Sequence, residues 1–171
     1  FTWSEDNLYF YWNGTDFYND LEGADMFLYF STSNSGSNLS KSWNFAEHNL
    51  PFSANYGLSI EDSNYYEFVE WNGSSWNVIE SDGIEMYIGW SGNKASEIKL
   101  PLSYLGNPSN ISLMAWAQWQ HEANVWSSFP MLNSASETGV EYFTHYYSTA
   151  LEEDISSSEI QILSNSLKLD D

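Results

Sequence analysis

The chain has 171 residues, and its 24 acidic side chains face four lysines and no arginine, for a formal net charge of −20. Such a surface repels phosphate backbones and anionic lipid headgroups, which argues against nucleic acid and leaves neutral ligands, cations and saline solution as the congenial surroundings. No cysteine is present, so disulfides and thiol chemistry are excluded, and no 18-residue apolar run exists for membrane insertion.

The length suits one domain with a core of its own. Nine Trp, twelve Tyr and ten Phe, set in short alternating runs, point to an all-β fold with more rings than one small core needs. Residues 8–12 read as a strand that runs into the turn Asn13-Gly14, with a hairpin partner over 15–18. Residues 26–30 are apolar on both faces, which suits a central strand. The Ser-, Asn- and Gly-rich stretch 31–42 reads as a long surface loop. Residues 56–60 form a candidate strand. Residues 65–71 alternate, turn at 72–75 and return over 76–79, with Trp71 and Trp76 flanking the turn. Residues 85–90 make another strand, closed by 91–93. In residues 97–102, Ile98, Leu100 and Leu102 face in while Glu97 and Lys99 face out, and Pro101 marks an edge or a strand end. One helical turn is expected at 103–106. Residues 111–120 form a long strand with Trp116, Gln118 and Gln120 on one face and Ala115, Ala117 and Trp119 on the other. A last strand is placed at 141–148. Turn signals recur about every ten residues, as in an antiparallel two-sheet β-sandwich, and helix content should be very low. Residues 1–149 are assigned to this domain. Residues 150–171 carry no aromatic side chain and read as a closing edge strand over 159–163 or as a linker tail.

Four segments taken in order resemble extracellular β-sandwich modules related to family 9 carbohydrate-binding modules and DOMON domains. They are 7–15 (NLYFYWNGT), 23–32 (GADMFLYFST), 87–90 (YIGW) and 97–106 (EIKLPLSYLG). The resemblance covers most of residues 7–120. It implies a jelly-roll-like sandwich in a group whose members bind sugars or haem or serve as spacers in surface proteins. Ser31 stands where the group often has a second acid, and the group's first strands have no counterpart in the sequence ahead of Phe1. The chain opens mid-pattern with no visible signal peptide, and it reads as a mature or excised piece of a longer protein. No binding residue is carried over from the resemblance.

Saccharides stack C–H patches on Trp and Tyr rings while amides and carboxylates hydrogen-bond their hydroxyls. Candidate ligand-binding residues on this chemistry are Trp71, Tyr87, Trp116, Gln118, Gln120 and Trp126; the competing reading is that these rings are core. Asp20, Glu22 and Asp25 crowd one stretch and are candidate Ca2+ ligands, against the alternative of solvated acids. His48, His121 and His145 lack paired-ligand spacing. Asn13, Asn38, Asn72 and Asn110 each open an Asn-x-Ser/Thr sequon, no more than composition predicts; Asn13 and Asn72, in turns, are the best glycosylation candidates. No nucleophile elbow, phosphate loop or acid–x–acid–x–acid strand is present, so no enzyme is expected. The sequence thus predicts an extracellular carbohydrate-binding or adhesion module. Its rival is a structural subunit that meets other copies of itself through aromatic interfaces and strand donation in a filament or layer.

Overall fold

The structure, a computed structural model, describes residues 1–13, 24–43, 47–62, 64–88, 95–119, 124–131 and 142–151. Its strands are β1 (Thr2–Trp3), β2 (Asn7–Asn13), β3 (Ala24–Ser31), β4 (Ser37–Leu39), β5 (Asn49–Ala54), β6 (Tyr56–Ile60), β7 (Tyr66–Trp71), β8 (Trp76–Val78), β9 (Glu85–Tyr87), β10 (Ala95–Pro101), β11 (Asn110–Trp119), β12 (Val125–Phe129) and β13 (Tyr147–Ala150). Among the described residues the only helical piece is a 3-10 turn at Leu102–Leu105, which closes on Gly106 with φ 77°. None of their helices is long and apolar enough to cross a membrane.

The strands pair antiparallel in two main sheets. The first has the order β1-β2-β10-β9; the second has the order β12-β11-β3-β6-β7-β8, with β13 on the remaining length of β11. The antiparallel sandwich expected from the two-residue period is therefore present, although this strand order does not by itself make it a jelly roll. Alternation drives the packing. Leu8 and Phe10 of β2 and Ile98 and Leu100 of β10 point inward, against Met26, Leu28 and Phe30 of β3 and Ile111 and Leu113 of β11. The alternate residues Tyr9, Tyr11, Glu97 and Lys99 are left on the outer face, because successive side chains of a strand point to opposite sides.

The central strands of the second sheet, β3 and β11, are buried on both faces. On the sheet's far side Phe27, Tyr29, Met114 and Trp116 pack against Trp43, Leu50, Phe52, Ala54 and Phe143. This third layer is built on the β4–β5 pair, so the expected surface loop at 31–42 instead contains a strand and a covering segment. The Ser- and Asn-rich composition hid it: Ser37 Oγ accepts from the Leu39 N–H and donates to its carbonyl, the local bonding that otherwise marks turns. Gly36 lies so close to β5 that a Cβ there would sit 2.4 Å from the Ala54 carbonyl oxygen.

Other expectations meet mixed outcomes. The hairpin around Trp71 and Trp76 is present, with those two residues directly paired and Gly73 at φ 99° in its turn. β2 pairs with β1 and β10, and its expected partner at 15–18 lies outside the described residues. The strand expected at 141–148 is shorter: Tyr142 makes only an isolated bridge to Asn49, and pairing resumes at Tyr147. Leu151 still bonds the Ser109 carbonyl, at 2.8 Å, and the segment 159–163 lies outside the described residues.

Gly57 faces the Tyr29 ring, and an added Cβ would approach it to 2.7 Å. Gly57→Ala should therefore lower unfolding free energy by about 1–3 kcal/mol, the range for overpacking a dense core. Urea denaturation measures it, and an unchanged midpoint would contradict the close approach.

Candidate functional site

The predicted ligand residues do not converge. Trp116 is 2% exposed and lies stacked against Phe27 (4.9 Å, 11°) and Tyr29 (5.3 Å, 13°). Gln118 is fully buried, and its Oε1 takes the Trp116 indole N–H at 3.1 Å and lies 2.7 Å from His48 Nε2. The two residues do share a face, as their spacing requires, but the third layer covers it; they serve the core rather than an open platform. Trp71 is half-buried against Trp76, whose indole N–H reaches the Leu39 carbonyl at 3.0 Å and ties β8 to the cover. Trp126 is 39% exposed, beside Trp119 at 5.3 Å, where β12 bulges against β11. Gln120 lies outside the described residues. Tyr87 alone points outward from the first sheet.

The calcium candidates fare likewise. Asp20 and Glu22 lie outside the described residues, and Asp25 is buried with Oδ2 accepting the Trp43 indole N–H at 2.9 Å. No group of three metal-ligating side chains occurs among the described residues. His48 is walled by Trp116 and Phe143 and engaged with Gln118, which does not fit an axial haem ligand. Asn13 and Asn72 are both exposed, at the end of β2 and in the β7–β8 turn, where the Asn72 carboxamide oxygen accepts from the N–H groups of Ser74 and Ser75 at 2.9 Å.

A different surface collects exposed rings. On the outer face of the first sheet the β2–β10–β9 register sets Tyr11, Glu97 and Tyr87 in one row and Tyr9, Lys99 and Glu85 in the next. Tyr11 is 57% and Tyr87 48% exposed. Their backbones stand two strand spacings apart, about 10 Å, with Glu97 between them. The rows line an open groove of about 660 Å³. Lys99 Nζ donates to Glu85 at 2.7 Å, a bond that raises the lysine pKa above its ordinary value. The Glu97 side chain makes no hydrogen bond or ion pair among the described residues. The signal for this site lay in β2: Leu8, Phe10 and Trp12 occupy its inward positions, so Tyr9 and Tyr11 are rings on its wet side.

With this geometry in hand, scans against protein-family models, curated proteins and solved structures find no match to the chain.

Two outcomes separate the buried face from the open one. Trp116→Ala should destabilise the fold by about 3–5 kcal/mol, as expected for a fully packed indole, and ligand binding should fall only as the protein unfolds. Chemical denaturation monitored beside binding distinguishes the two effects. The Tyr29 phenol is the second marker. Burial pushes its pKa well above 10.0, and the Lys41 N–H, donating at 2.8 Å, offsets this only in part. The folded state therefore holds the proton more tightly than the unfolded chain. Its contribution is intact below pH 10 and declines above it by up to about 1.4 kcal/mol per pH unit. Stability measured from pH 9 upward should fall less steeply in Tyr29→Phe than in the parent.

Proposed function

We propose that this chain is a non-catalytic carbohydrate-binding or adhesion module that works outside the cell, holding its glycan on the outer face of the four-stranded sheet. The row Tyr11–Glu97–Tyr87 carries the reading. Two exposed rings separated by about 10 Å offer stacking surfaces to two sugar units of one chain, and the carboxylate between them accepts from ring hydroxyls. Rings kept in water on a rigid sheet lose little freedom on binding, which favours recognition by stacking. The face is open rather than enclosed. It neither excludes water nor distorts a substrate, and Glu85, the nearest second carboxylate, is tied to Lys99; these features support binding without turnover.

A second reading has its own observation. β1 pairs only with Leu8 and Tyr9, and no described strand continues it along β2. Beside that edge a cleft of about 240 Å³ opens between the sheets, lined by Phe1, Phe10, Ala117 and Phe129 among others. A strand donated by another copy would satisfy the edge and insert an apolar side chain, as in a filament or layer subunit. The high negative charge of the chain opposes close association of copies at low salt, which ranks this reading second.

Glycan-array screening followed by titration calorimetry tests both. Tyr11→Ala and Tyr87→Ala should each weaken binding of a neutral oligosaccharide roughly two- to tenfold, the worth of one stacked ring, with unfolding midpoints unchanged. Concentration-dependent assembly in sedimentation, with no glycan bound, would support the strand-donation reading instead.

A further inference from the structure

We propose that the Tyr11–Glu97–Tyr87 row selects amine-bearing glycans, whose sugar units carry a free protonated amino group, over neutral and anionic ones. The inference rests on the carbohydrate reading above and assigns its ligand class.

The argument begins with the scarcity of cations. Four lysines serve the whole chain, and the two among the described residues are both committed. Lys41 is paired with Glu67, and Lys99 with Glu85. The Glu97 carboxylate, in the middle of the ring row, has no hydrogen bond or ion pair among the described residues. A carboxylate so placed can be neutralised by a ligand without breaking any protein contact. An amide there would accept sugar hydroxyls equally well, so the charge is what gives the position its selectivity.

The flanking rings act in the same direction. A tyrosine ring presents a negative face to a cation within about 6 Å, and an ammonium above Glu97 has such a ring on either side. Charge-assisted hydrogen bonds from that ammonium to the carboxylate are shorter and stronger than those from hydroxyls. The surrounding field adds to both effects, since a net charge of −20 concentrates cations and repels uronic or sulfated sugars before contact. Lys99, in the adjacent row, is the one positive side chain lining the groove among the described residues, and Glu85 offsets it at 2.7 Å. Tyr9 stands beside Lys99 and supplies a third ring to the groove.

The test uses four oligosaccharides of equal length: fully deacetylated chito-oligosaccharide, its N-acetylated counterpart, a cello-oligosaccharide and an oligogalacturonate. Affinities are measured by calorimetry at about 0.15 M salt, where surface charges farther apart than about 8 Å are screened, and at a pH that keeps the amine protonated. The deacetylated chain should bind roughly three- to tenfold more tightly than the two neutral ones, as one exposed cation–π contact plus one exposed ion pair allow. The oligogalacturonate should bind most weakly. Glu97→Gln should bring the deacetylated chain to the level of the neutral ones and leave those unchanged. Glu5→Gln, which removes the same charge at an exposed position outside the groove, should preserve the preference. A preference that survives Glu97→Gln, or is lost equally in Glu5→Gln, would assign the effect to the general field and overturn the proposal. Equal affinity for amine and neutral chains would overturn it while leaving the carbohydrate reading intact. Failure of all four to bind would remove that reading, and this inference with it.

Discussion

The antiparallel pairing of β3 with β11 is the constraint on which the rest of the fold depends. The two strands are joined over eight residue pairs, from Ala24 opposite Trp119 to Ser31 opposite Ser112. Both carry large apolar side chains on both faces, and rings of that size cannot be left in water without giving up about 1.5–3 kcal/mol of transfer free energy each. One face is met by the first sheet, whose β2 and β10 alternate cleanly. The other face needs a second cover, and the chain supplies it with Trp43, Leu50, Phe52, Ala54 and Phe143 on and around the β4–β5 pair. That cover is also fastened by polar contacts reaching up from the sheet. The Tyr29 hydroxyl holds the Lys41 N–H, Asp25 holds the Trp43 indole, Gln118 meets His48, and Lys41 pairs with Glu67. Each anchor is a side chain that a solvent-facing sheet would not need.

The same arrangement takes up part of the aromatic surplus. Phe27, Tyr29, Trp43, Trp116 and Phe143 fill the second core, and Phe10, Phe30 and Phe68 the first. A three-layer molecule of this length has two interior faces to fill, so its demand for rings is higher than that of a simple sandwich. What remains outside is then informative. Tyr9, Tyr11 and Tyr87 share a sheet face that no layer of the described residues covers, and they lie on strands whose inward positions are already occupied by Leu8, Phe10, Met86 and Ile98. Those tyrosines are not needed to hold the sheet on the core.

Much of this was legible in the sequence, and the limits follow from the physics. Two-residue alternation is a local property, so the strand at 97–102, the hairpin at Trp71 and Trp76 and the two-faced strand at 26–30 could all be read directly. That Trp116 and Gln118 share one face and Ala115 and Ala117 the other was equally accessible, although both faces proved to be covered. What periodicity cannot report is which face receives a cover, because that depends on a distant segment. Here the stretch that forms β4 is rich in Ser, Asn and Gly, residues whose local hydrogen bonding favours turns, and nothing in its composition announces a strand. The ring row was hidden for a related reason. Tyr11, Glu97 and Tyr87 come from three strands far apart in sequence, and only the registers of β10 with β2 and with β9 bring them side by side.

Charge ties these features together. In a chain with so few cations, each lysine placement is a choice between fastening the fold and shaping the surface. Lys41 does the first: with side-chain exposure of only about a quarter, it joins the cover to β7 and lies 5.6 Å from the Trp43 ring centroid. There the pair is partly sheltered from solvent and is screened less than one standing in water. Lys99 does the second, in water, where an ion pair contributes little to stability and mainly sets the local potential of the groove. By cancelling Glu85 it leaves Glu97 as the single uncompensated charge between two rings. The placement of the two described lysines thus separates the surface that holds the layers together from the surface left open to solvent.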